Sequence, residues 1–124
     1  MNDLFHYLPV LAHLLIGFYF AFFGFWNIYH WTPILQIMSR DGVPLPFLTL
    51  QIGIFLQIVT GIMIMMGFYV KIAALLLIPF TIVSVFMFHP FWKHRGELFA
   101  LNFSVFMANM TISIGALLLI IVQS

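Results

Sequence analysis

In a chain of 124 residues, 65% hydrophobic and 6% charged side chains exclude a water-soluble domain, which carries about a quarter charged residues. A net charge of +1 offers no basic surface to neutralise several phosphates, so nucleic acid is excluded as a partner. The absence of cysteine removes thiol redox chemistry, Fe–S ligation and disulfides together, so electron chemistry would need a borrowed cofactor.

Four apolar segments follow one another, Tyr7 to Tyr29, Leu45 to Met66, Val70 to Phe88 and Glu97 to Val122. Each is near the roughly 20 residues that carry a helix across a hydrocarbon core. The first begins Met1-Asn2-Asp3-Leu4 without a basic region and stays apolar to Ile28, so it is expected to be a retained span rather than a cleaved signal. His30 to Pro44 holds Pro33, Arg40, Asp41, Gly42 and Pro44 and is predicted to be a long, helix-breaking loop. Gly67-Phe68-Tyr69 predicts a tight hairpin, with Gly67 ending a helix in the left-handed conformation. His89 to Gly96 gathers proline, an aromatic anchor and charge, as a membrane-surface turn should. The expected architecture is therefore all-α: a single polytopic four-helix bundle over residues 1–124, with both termini on one side of the bilayer. Arg40, Lys93 and Arg95 against Lys71 favour cytoplasmic loops.

Polar side chains inside the spans are costly unless partnered, which makes them the informative positions. Counted at about 1.5 Å per residue from the terminal side, His13, Gln57, Thr60, Thr81, Ser84, Asn109 and Ser113 fall in one layer. Asn27, Gln51, Asn102 and His89 fall in a second, beneath Trp26, Trp31 and Trp92. His13, Gly17, Phe20, Gly24 and Asn27 recur at intervals of three and four on the first span. So do Asn102, Phe106, Asn109, Ser113 and Ala116 on the fourth, and Gly53, Gln57, Thr60 and Gly61 mark the second. Pro79 cannot donate to the Leu75 carbonyl, which Thr81, Ser84 or a ligand is expected to satisfy. Amides and hydroxyls beside small residues are also the ordinary glue of membrane helix pairs. An imidazole such as His13 is rarer there and can hold a proton or a quinone carbonyl, or simply bond to Gln57. His30, His89 and His94 form no compact metal-ligand motif, so no metal site is expected.

In their order, Gly17 and Gly24, Gly42-Val43-Pro44, Gln57-Ile58-Val59-Thr60-Gly61 with Gly67, Ala73-Ala74-Leu75, His89-Pro90-Phe91-Trp92, and Asn109 before Gly115-Ala116-Leu117-Leu118 resemble the DoxX family over nearly the whole chain. The resemblance implies a four-helix protein of the bacterial inner membrane with cytoplasmic termini, opposite to the charge count, and an association with redox systems and quinone. It also marks departures: members commonly have Arg where His13 stands, Lys near Asn27 and Glu where Gln57 stands.

Together these features lead to an accessory membrane subunit of a redox or detoxification system, not catalytic on its own. A quinone or lipid-like molecule would be held by His13, Gln57, Asn109, Asn27, Asn102 and Trp26, with Phe20 and Phe106 as apolar wall. A noncatalytic assembly or scaffold protein and a small-solute transporter are the alternatives. Expected partners are the lipid bilayer and another membrane protein or a second copy.

Overall fold

The computed structural model describes residues 2–123, with side chains from Phe5 onward. It is helical throughout, and no strand occurs among the described residues. The helices are α1 (Asn2–Tyr29), α2 (Trp31–Arg40), α3 (Pro46–Met66), α4 (Val70–Phe88), α5 (Glu97–Ala108) and α6 (Ile114–Gln123). Four described segments are long and apolar enough to cross a membrane: Phe5–Tyr29, Pro46–Met66, Val70–Lys93 and Glu97–Gln123. The chain is thus an all-α polytopic membrane protein. Met1 and Ser124, on which the expectation about the termini bears, lie outside the described residues.

Two compact units divide the chain, residues 1–73 and 74–124. In the first, α1 and α3 run antiparallel, Gly17 lying against Gly61 and Met65 while Gly24 lies against Gln57 and Ile58. The approach is close enough that a Cβ added to Gly61 would stand 2.7 Å from the Gly17 carbonyl oxygen and 2.7 Å from the Ala21 nitrogen. Lipid gives no hydrophobic reason for helices to associate, so backbone contact through small residues supplies the packing that large side chains would prevent. Gln57, Thr60, Gly61 and Ile64 of α3 are buried by it, as are Phe20 and Ala21 of α1.

The predicted loop after the first span is corrected, because Trp31–Arg40 is a helix. Pro33 is its third residue, in the first turn, where a missing N–H has no partner to lose. The helix buries Met38 and stops at Gly42, whose φ of 77° closes the turn. Gly67 ends α3 as expected: its φ is 71°, its N–H donates to the Ile64 carbonyl at 3.1 Å, and that of Phe68 to Met63 at 2.8 Å.

In the second unit, α4 runs through Pro79 without ending. Of the groups expected to meet the Leu75 carbonyl, Thr81 does not: its hydroxyl is buried and has no hydrogen-bond partner among the described residues. A helical hydroxyl bonds back three or four residues, and the Leu75 carbonyl lies six back. The fourth span is interrupted by a π-turn at Asn109–Ser113, where the Ile114 N–H reaches the Asn109 carbonyl five residues behind it. All five residues of the stripe expected from Asn102 to Ala116 are half-buried, and beyond the π-turn the buried positions move one residue on, to Leu117 and Ile120.

Candidate functional site

The amide groups of the first unit meet across the α1–α3 contact. Asn27 Nδ2 donates to Gln57 Oε1 at 2.9 Å, between residues thirty apart in sequence. Gly24, one turn before Asn27, makes room for this: its missing side chain lets the Gln57 Cβ and the Ile58 side chain come against α1. Counting depth puts Asn27 and Gln57 in different layers; the register of the helix pair, with Gly24 against the Gln57 Cβ, instead sets Asn27 one turn from Gln57. His13 stands fourteen residues before Asn27, roughly 21 Å along α1, and is half-buried. It makes no hydrogen bond among the described residues, so the Gln57 amide engages Asn27 in its place. Members of the family resembled commonly place Lys and Glu near these two positions; here a neutral pair occupies them.

At the same end of α1 as Asn27, Trp26 stacks on His30 with ring centroids 4.2 Å apart, and His30 Nδ1 lies 3.0 Å from the Trp26 carbonyl oxygen. Because a carbonyl only accepts, His30 holds its hydrogen on Nδ1. Next to this stack a cleft of about 360 Å³ is formed by Ile28 of α1, Trp31 of α2 and the stripe Gln51, Ile54, Phe55, Ile58 and Val59 of α3. The α3 members are spaced by three, four, seven and eight residues and so lie along one face. Gln51 is the one side chain among them with an amide, so an apolar trough ends in a single hydrogen-bonding group beside an indole. The Gln51–Trp31 proximity is visible in the sequence as membership of the second polar layer; the trough is not, because it depends on α2 being a helix.

In the second unit, Asn102 is held to its own helix by Nδ2, which donates to the Leu98 carbonyl at 2.8 Å, and its Oδ1 lies 3.1 Å from His89 Nδ1. Asn109 Nδ2 donates to the Val105 carbonyl at 2.9 Å, and Ser113 Oγ donates to Asn109 Oδ1 at 3.4 Å. Phe106 lies in an aromatic cluster, 5.1 Å from Phe86 and 5.1 Å from Phe91 between ring centroids. The six expected site residues are therefore divided: His13, Trp26, Asn27 and Gln57 belong to the first unit, with only the last two bonded to each other, and Asn102 and Asn109 to the second. No group of three or more His, Asp or Glu side chains converges for a metal among the described residues.

Comparison with known proteins agrees with this architecture. The chain is 28% identical to the inner membrane protein YphA of Escherichia coli K12, over 91% of its own length and 80% of that protein's. It is 32% identical to the inner membrane protein YqjF of the same organism, over 90% of its length and 81% of that protein's. No solved structure matches it significantly. The DoxX family model matches residues 8–90, two spans and most of a third. With four helices able to cross a bilayer and relatives of the inner membrane, the chain is an integral inner-membrane protein and belongs to the DoxX family.

Proposed function

We propose that the chain is an accessory membrane subunit of a redox or detoxification system that holds a quinone or lipid-like amphiphile along α3. The supporting observation is the cleft of about 360 Å³, with an apolar wall of Ile54, Phe55, Ile58 and Val59 and one amide, Gln51, at the end where Trp31 stands. A ligand with a long apolar tail and one carbonyl or hydroxyl group matches that arrangement. The cleft moves the polar contact from Gln57, whose oxygen is occupied by Asn27, to Gln51. His13, Trp26, Asn102 and Asn109 stand in this reading as further contacts.

Titration of the protein in nanodiscs with decylubiquinone, followed by quenching of tryptophan fluorescence, tests it. Gln51→Leu is expected to weaken binding about fivefold, the worth of one hydrogen bond of about 1 kcal/mol. Equal affinity in the two proteins dismisses the cleft as a quinone site.

The sparse burial of the fourth span supports a second role, noncatalytic assembly. No residue of α5 is buried and only Leu117 and Ile120 of α6 are, so the exposed side of this span has room to meet lipid or another membrane protein. A stoichiometric companion retained in mild detergent, with no quinone bound, would favour this role over the first.

A further inference from the structure

The turn that precedes α5 carries an imidazole whose two nitrogens are made unequal by its neighbours. Because Asn102 Nδ2 is committed to the Leu98 carbonyl, the amide is oriented and presents Oδ1 to His89 Nδ1 at 3.1 Å. An amide oxygen only accepts, so Nδ1 carries the hydrogen, and in the neutral ring Nε2 keeps its lone pair. Nε2 makes no hydrogen bond among the described residues. His89 is thus an oriented acceptor that need not move when it binds a donor.

Its surroundings are aromatic. Phe99, Asn102, Phe103 and Phe106 lie along one stripe of α5 by their spacing of three, four and seven. Phe91 packs edge-on against this stripe, 5.8, 5.1 and 5.1 Å from Phe99, Phe103 and Phe106. Phe99 and Phe103 are parallel within 9°, and the residues Phe99, Phe103 and Trp92 are 41%, 39% and 51% exposed. A structural clasp between turn and helix explains the buried edges of Phe91 and Phe106. It leaves over an oriented acceptor, His89, bonded to the stripe that carries two parallel, partly exposed rings.

We propose that this is a binding site for an amphiphilic phenol: the phenolic hydroxyl donates to His89 Nε2, and the ring packs on Phe99, Phe103 and Trp92. The pairing follows from chemistry, since a neutral Nε2 accepts, and aromatic faces and edges favour another ring in offset or edge-on contact. The site is confined to residues 74–124 and stands or falls apart from the cleft on α3.

The full chain in nanodiscs is titrated with 4-octylphenol and with 4-octylanisole, whose methyl ether has the same ring and tail but no hydrogen to donate. Wild type is expected to bind the phenol about tenfold more tightly, and His89→Phe to bind both equally. Equal binding by wild type, or a preference that persists in His89→Phe, overturns the proposal. Should His89→Phe fail to fold, ¹⁵N spectra of histidine-labelled wild type decide. The proposal requires an Nδ1–H tautomer at His89 and an Nε2 resonance that moves with octylphenol but not with octylanisole; a protonated neutral Nε2 or an unmoved signal overturns it.

Discussion

The two units of the chain solve the same problem by opposite means. Within residues 1–73, α1 and α3 approach through what is missing: Gly17, Gly24 and Gly61 have no side chains, and the backbones touch. Within residues 74–124, the turn is fastened to α5 by what is added, a set of aromatic rings and a histidine bonded to an asparagine. In lipid the first device depends on van der Waals contact between main chains, which tolerates no enlargement. The second depends on faces and edges of flexible rings, which can repack at moderate cost. The contrast teaches where this protein is brittle and where it is adaptable.

The Asn27–Gln57 contact gives the strongest way to break the contrast. Asn27→Lys is expected to destabilise the folded protein by about 2.5 kcal/mol, through overpacking of the α1–α3 contact and loss of the 2.9 Å bond, measured by reversible unfolding in mixed micelles. Adding Gln57→Glu should recover more than half of that loss, because the 2.9 Å amide contact is replaced by an ion pair of the kind the family commonly carries nearby. A double variant no better than the single one would show that the amide contact does not set this register.

Next in size, Gly61→Ala is expected to cost about 2 kcal/mol, since its Cβ meets unyielding backbone atoms of α1. Gly24→Ala should cost less, because there the new methyl meets a side-chain atom, Ile58 Cγ1 at 2.5 Å, rather than main chain. Thermal unfolding of both variants in one detergent checks the order. In the second unit, Phe91→Leu is expected to lower stability by about 1.5 kcal/mol through lost edge-on contacts, without the steric failure expected at Gly61. Smallest of all, Gly115→Ala should leave stability unchanged or raise it by about 0.5 kcal/mol, as nothing lies within 4 Å of the added carbon.

The spans were legible in the sequence because hydrocarbon demands long apolar runs and permits few alternatives. Gly67 was legible too, as glycine alone takes its φ of 71° without strain. Two elements were not. The helix Trp31–Arg40 was hidden by Pro33, which reads as a helix breaker in the sequence but sits without cost in the first turn it occupies. The π-turn was hidden because nothing in the residue types of Asn109–Ser113 distinguishes a bond to the fifth preceding carbonyl from one to the fourth. The site suffered from both. Depth counting took the spans to begin level with one another and so separated Asn27 from Gln57, and the α3 cleft needs a wall, Trp31, whose position only the hidden helix provides.

One more outcome follows from the bulge in the fourth span. A residue inserted into helical winding advances everything behind it by roughly 100°. Cysteine-labelling profiles of residues 97–108 and 114–123 should therefore each be regular yet out of phase, as though two separate rods had been welded at an offset. Removal of Met110 would draw them into one continuous winding and turn the Leu117 and Ile120 edge away from its present neighbours.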